Sequence, residues 1–250
     1  SSAASDVYKR QILMMEVLVL YQQVNKMTLQ VTVVDFFKRK RLLIFLVFQF
    51  EVIMINVIFD FESLGLGENS VLLSLGVLAF DTKDYDIQRD GVETTFNKLL
   101  KQGLYVKLDA KEQTQKYKRN IDKSTLMWWT EQGEEAKDVL RKSDDDVSLD
   151  RMELLLKDYF ELNGVTKNTP VWSRGYTEPM WYESVKLNLN TYGSIRHYQY
   201  RDIRTLLNVV IEDKYLSRNH INTIKQPENF VKHNALHDVC FDAVQFLCTQ

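Results

Sequence analysis

Asp60 and Glu62 stand two apart at the end of an apolar run, N-V-I-F-D-F-E-S-L-G-L-G, from Asn56 to Gly67. Ile55, Val57, Ile58 and Phe59 read as a buried strand, and the glycines that follow as a turn. Side chains alternate along a strand, so positions two apart face the same side. Two carboxylates aimed one way repel each other unless a cation lies between them. Hard divalent cations such as Mg²⁺ are the usual partners of carboxylate oxygens. D-x-E alone is a frequent pattern, so the weight falls on what else the chain offers. Near the C-terminal end, His233 and Asp238 stand in H-N-A-L-H-D. An imidazole of ordinary pKa, about 6.5, can take a proton near neutral pH. Between the two motifs an acid follows a short strand ending in Arg174-Gly175. The order is what carries chemistry: D-x-E on a first strand, an acid after a middle strand, H-x4-D at a last helix.

Elements must hold these groups together. Ser70–Phe80 reads as a second strand, and a third lies in Val92–Phe96 or Leu104–Leu108, which makes an antiparallel meander. Asp109–Lys123 is polar, and Ser124 reads as the N-cap of a helix carrying Trp128 and Trp129. Neighbours on a helix point about 100° apart, so at most one tryptophan is expected to be fully buried; the two readings are ordinary packing for both, or one packed inward and the other offering a surface to a base. Glu134–Arg141 reads as a short helix and Asp144–Asp146 as a solvated acidic turn. Leu149–Leu162 is helical by its apolar spacing and stops at Asn163-Gly164. Pro170–Gly175 is a short strand, and Pro179 opens a helix with Glu178 at its N-cap. Ile195–Tyr200 reads as another strand, with a helical face from Ile203 to Val210 after it. Asp213–Lys232 is a long polar stretch. The closing helix spans about His233–Leu247, with Ala235, Leu236, Val239, Ala243 and Phe246-Leu247 on its apolar face and His237 as packing or surface.

The composition is that of a globular protein, 45% hydrophobic and 26% charged, with a formal net charge of -2. No basic excess advertises nucleic-acid binding, so such a partner would be held by a local patch or through bound metal. Cys240 and Cys248 fall on one helix about 12 Å apart, too far for a mutual disulfide, which points to a reducing, cytosolic setting. Residues 1–53 differ from the rest. They open on S-S-A-A-S-D-V-Y-K-R-Q, which resembles translated adapter sequence, and run apolar without period through Ile12–Val34. Lys38–Arg41 then precedes a second apolar stretch, Leu42–Ile53. Gln49, Glu51 and Asn56 break that stretch before the roughly 20 residues a membrane span needs. We expect 1–53 to be a non-native or apolar extension, a membrane anchor being the second reading, and the folded domain to be 54–250, starting near Met54. From Met54 on, acidic residues outnumber basic ones.

The order of acids resembles the DEDDh branch of the 3′–5′ exonucleases. Over nearly all of Met54–Leu247 the chain is similar to the phage-type exonuclease A group and related bacterial 3′–5′ exoribonucleases. The matching stretches are Phe59–Gly65, Ser124–Trp129 with Gln132 and Glu135-Ala136, Ser173–Gly175, Arg201–Thr205 and His233–Asp238. The resemblance implies an α/β, ribonuclease H-like mixed sheet, its first three strands antiparallel, flanked by helices. It implies two divalent ions, Mg²⁺ or Mn²⁺, held by Asp60, Glu62, Asp238 and a middle acid, with His233 as general base. It also implies a single-stranded RNA or DNA 3′ end as substrate, 5′-mononucleotides as products, a cytoplasmic setting and no membrane partner. The family's middle ligand is an aspartate in R-G-x-x-x-D, whereas this chain has R-G-Y-T-E-P-M-W-Y-E. Glu178 is the nearest acid and the one expected to serve; Glu183 is the alternative. Trp129, Arg174 and Arg204 are expected to meet substrate, with a helix cap and an ion pair the plainer roles for Asp202 and Arg204. If the changed ligand disables the centre, the chain is a nucleic-acid-binding relative without turnover.

Overall fold

The computed structural model describes residues 32–33, 44–45, 55–210 and 224–249. The chain divides into two compact units, Ser1–Ile53 and Met54–Gln250. In the first, Thr32–Val33 pairs antiparallel with Ile44–Phe45. Most of the apolar stretches Ile12–Val34 and Leu42–Ile53 lies outside the described residues, as does 213–223 of the polar stretch before the last helix. Among the described residues no helix is long and apolar enough to cross a membrane.

The second unit is built on β1 (Ile55–Ser63), the middle strand of five. β2 (Leu72–Asp81) lies antiparallel to β1, and β3 (Leu104–Lys107) antiparallel to β2. On the other side of β1, β4 (Val171–Ser173) and then β5 (Tyr200–Asp202) add in parallel, giving the order β3-β2-β1-β4-β5. The sheet is therefore mixed, with an antiparallel meander first. Alternation along β1 assigns its faces. Val57, Phe59 and Phe61 enter a core completed by Leu149, Met152, Leu156 and Phe160 of α5 (Leu149–Leu162) and by Trp181, Tyr182 and Val185 of α6 (Thr177–Leu189). Ile58 faces the opposite way, into a core with Phe96 and Leu99 of α1 (Ile87–Gln102), Ile203 and Leu207 of α7 (Ile203–Val210), and Val239, Ala243 and Val244 of α8 (Ala235–Leu247). By the same period of two, Asp60 and Glu62 continue the Ile58 face, the one that α8 covers.

One glycine lets α8 come that close. Gly76 of β2 pairs with Asp60, and a Cβ built on it would lie 2.2 Å from the Ala235 carbonyl carbon. No side chain fits there. The first turn of α8 thus rests on the sheet beside Asp60.

Several expected elements are displaced. Val92–Phe96 belongs to α1, because its two apolar residues are four apart, and the third strand is Leu104–Lys107. Within the polar stretch Asp109–Lys123 lies α2 (Ala110–Lys116), capped by Asp109. Asp122, not Ser124, caps α3 (Lys123–Thr130), accepting from the Thr125 N–H at 2.8 Å. Beyond α4 (Glu134–Lys137), the acidic turn is only partly solvated: Asp146 lies 3.6 Å from the Lys107 ammonium and accepts from the Ser143 N–H. Tyr176 is the N-cap position of α6, so Glu178 lies inside the helix rather than at its cap. His197–Gln199 forms a 3₁₀ turn where a strand was expected, and the strand begins at Tyr200. Cys240 and Cys248 are free thiols, the first buried and the second exposed.

Candidate active site

Four carboxylates converge from three elements: Asp60 and Glu62 from β1, Glu178 from the first turn of α6, and Asp238 from the first turn of α8. The charges felt by the two β1 acids show how close the others come. Burial raises the Asp60 carboxyl well above its ordinary range, and the charges of Glu62, Glu178, Asp238 and Asp242 raise it further. Burial, then Asp238 and Glu178, does the same to Glu62. Glu178 is pushed up to about 7, chiefly by burial, with Arg204 and Arg174 opposing the shift. Asp238 is also pushed up to about 7, by burial and then by Asp242. Glu178 is 8% exposed, and its Oε2 is buried with no hydrogen-bond partner. A buried carboxylate oxygen left unpaired is costly, and several together need cationic charge. The donor set, hard oxygens with one imidazole beside them, fits a divalent ion.

The imidazole is that of His233. Its backbone takes the left-handed conformation, φ 61°, which a residue other than glycine rarely adopts. That turn brings ligand atoms of Glu62, His233 and Asp238 within 4.8 Å of one another. The His233 Nε2 is buried and has no partner. Burial and the neighbouring Lys232 lower its pKa, so the ring is neutral near pH 7. Trp128 and the ring meet edge to face at a centroid distance of 4.8 Å. Asn234 starts α8, its side-chain oxygen accepting from the N–H groups of Leu236 and His237 at 3.1 and 3.2 Å. His237 packs against Phe96 and Phe230, and its Nδ1 accepts from the Val231 N–H at 3.0 Å. It supports the loop and does not enter the acid cluster.

Residues 55–246 match the family described as the 3′–5′ exoribonuclease Rv2179c-like domain. The chain belongs to this family. It is a 3′–5′ exonuclease, on a ribonuclease H-like α/β fold. It is 29% identical over 208 residues to an exodeoxyribonuclease of Enterobacteria phage T4, an alignment covering 76% of this chain and 86% of the relative. The nuclease domain of 3′hExo, a DEDDh family member solved bound to rAMP, superposes with a TM-score of 0.52 at 11% identity, over 79% of this chain and 94% of that one. Cell-death related nuclease 4 (CRN-4) superposes with a TM-score of 0.51 at 13% identity, over 78% of this chain and 62% of that one. At such identities these two structures share the fold.

Two expected substrate contacts of this exonuclease are otherwise engaged. Trp129 is 1% exposed, and its indole N–H donates to the Ser63 carbonyl at 2.9 Å. It locks the end of β1 and has no face for a base. Trp128, 41% exposed, holds the open position instead. The Arg174 guanidinium is spent on Asp242: Nε donates to both carboxylate oxygens at 2.7 and 2.8 Å, and Nη2 reaches Asp242 and the Gln245 Oε1. Arg204 is exposed; its Nη2 donates to the Arg174 carbonyl at 2.6 Å, and its charge bears on Glu178. Asp202 caps that helix, accepting from the Arg204 N–H and the Thr205 hydroxyl. Glu183 accepts from Lys186 at 2.6 Å and from the Tyr200 hydroxyl at 2.7 Å, away from the other acids. Asp242 was missed from the sequence. Its signal was an acid four residues after Asp238 among the apolar residues of that helix.

Proposed function

We propose that this exonuclease removes 5′-mononucleotides from the 3′ end of single-stranded nucleic acid by a two-metal mechanism. Asp60, Glu62, Glu178 and Asp238 hold two divalent ions, Mg²⁺ or Mn²⁺, and His233 is the general base. One observation carries this reading: four enclosed carboxylates gather at one place, where burial raises the pKa of Asp60 and Glu62, Glu178 and Asp238 raise it further, and one Glu178 oxygen is unpaired. When bound, the ions supply an acidified water and stabilise the charge on the departing 3′-oxygen. A neutral His233 ring, one nitrogen of which lies within 4.8 Å of oxygens of Glu62 and Asp238, would accept the water's proton. Trp128 gives the terminal base a surface to stack on, and Arg204 gives a phosphate a cation at the rim. Glu178 takes the middle position because Glu183 is already paired. An acid buried at the middle position favours turnover over a disabled relative. Two free thiols favour the cytoplasm as its setting.

The matched family is described by an exoribonuclease and the phage relative is an exodeoxyribonuclease, so both substrates belong in the test. The full chain is incubated with 5′-end-labelled single-stranded RNA or DNA, with Mg²⁺, Mn²⁺ or EDTA. We expect a ladder shortening by single nucleotides from the 3′ end, abolished by EDTA. Cleavage that persists in EDTA, or internal cutting, would sink the proposal.

A further inference from the structure

The ladder between β4 and β1 ends before the residue that has to be placed. Val57 pairs with Val171 and Ile58 with Trp172, and β4 stops at Ser173. Arg174 is the next residue, and Gly175 turns the chain with φ 100° towards α6. Three residues beyond that glycine stands Glu178. A three-residue strand locates this turn poorly, so something else must fix it against α8, which carries Asp238. The Arg174–Asp242 pair spans that gap.

We propose that Arg174 and Asp242 are positioning residues: they fix the spacing between Glu178 and Asp238, and through it metal affinity, without touching substrate. The inference rests on the assignment of those two acids as metal ligands made above. Four observations support it. Asp242 lies four residues after Asp238, hence on the same face of α8 one turn along. Asp242 is 4% exposed, and both its oxygens accept from one guanidinium. A planar fork on a carboxylate fixes angle as well as distance, which a lysine cannot do. Gln245, 2% exposed, accepts from the same Nη2 at 3.0 Å and braces the fork from the next turn. Finally, the Arg174 carbonyl accepts from Arg204 at 2.6 Å, so α7 pins the backbone while α8 holds the side chain. The pair is neutral as a unit and adds no net charge to the four acids. Both of its ends bear on Glu178 and on Asp238, Asp242 more strongly than Arg174, as groups lying between the two acids would.

A phosphate contact and a positioning role predict different kinetics. Arg174→Ala would strand a buried Asp242 charge and risks misfolding, so the test uses Arg174→Met/Asp242→Leu, which removes the pair together. Replacing a buried ion pair by apolar groups of similar volume is often neutral for stability. Arg174→Lys, which keeps the charge and loses the fork, is the second variant. Mn²⁺ affinity is measured by calorimetry on folded full-length protein, and kcat and KM at saturating Mn²⁺. Wild-type protein must bind Mn²⁺ first; if it does not, the metal assignment itself fails, and that outcome is separate. Loss of groups that orient metal ligands typically costs about 10–100-fold in metal affinity. We expect a loss of that size in the double variant, a smaller one in Arg174→Lys, and an unchanged KM in both. Mn²⁺ affinity equal to wild type in Arg174→Lys and in a folded double variant overturns the proposal. So does a raised KM with metal affinity intact, which would return Arg174 to the substrate.

Discussion

Glu178→Gln should make the metal-free protein more stable, although it alters a buried group at the centre of the site. Glu178 is pushed from its ordinary 4.5 to about 7, chiefly by burial. At 1.36 kcal/mol per pKa unit, keeping it ionised at pH 8 costs the fold about 3 kcal/mol. A neutral amide avoids that cost but brings its own unmet hydrogen bonds, about 1 kcal/mol. A net gain of about 2 kcal/mol remains, or roughly 4–8 °C in Tm for a domain of this size. The sign follows from the raised pKa. Below about pH 4.5 the carboxyl is protonated whether the chain is folded or not, and the variant gains nothing. Between there and about pH 7 the folded protein resists ionisation, so wild-type stability falls and the gain grows; above that it is constant. Metal reverses the order. Ion at one hundred times its dissociation constant adds about 2.7 kcal/mol to wild type and less to the variant. The assay is thermal melting by circular dichroism from about pH 4 to 8.5, in EDTA and in Mn²⁺. A variant less stable than wild type in EDTA at pH 8, or one with the full Mn²⁺ increment, would refute the reasoning.

His233→Ala should lower kcat by about 10²–10⁴-fold while calorimetry still finds Mn²⁺ binding, and His237→Ala should be milder; the reverse ranking would misplace the base. Trp128→Ala should raise KM for an oligonucleotide by about 5–150-fold, from the loss of about 1–3 kcal/mol of base stacking, and leave melting nearly unchanged. Trp129→Ala should instead cost about 3–5 kcal/mol of stability, read by denaturant unfolding, because it empties a core position; equal melting of the two variants would reverse these roles. A chain beginning at Met54 should melt cooperatively, and aggregation of that chain beside a well-folded full-length protein would overturn the reading of 1–53 as an extension.

What could be read from the sequence was local. β1 declared itself because its apolar run is broken only by Asn56 before the first acid and its period of two puts both acids on one side. α5 did so through apolar spacing and an Asn-Gly stop, and α8 through its apolar face. Short segments deceived. Pro179 suggests the start of its helix, yet proline is tolerated throughout a first turn whose N–H groups are orphaned anyway, and the helix begins two residues earlier. Trp128 and Trp129 separate by angle, but the sequence puts the wrong one towards substrate, because the choice turns on a carbonyl at Ser63, far away in the chain. Arg174 carried no local sign that its partner was Asp242.

The deeper limit concerns how the acids meet. Alternation places Asp60 and Glu62 on one face of β1, and capping places Asp238 in the first turn of α8. Neither says that strand and helix touch there. Contact requires the helix backbone to approach the sheet more closely than side chains allow, and the register supplies the place: Asp60 lies opposite Gly76. A Cβ at that position would fall 2.3 Å from the Ala235 carbonyl oxygen and 2.5 Å from the Leu236 nitrogen, so any other residue would push the start of α8 off the sheet. Asp238, three residues after Ala235, would move with it. The residue on which convergence depends therefore has no functional group, and it becomes visible only when strand pairing sets it across from an acid.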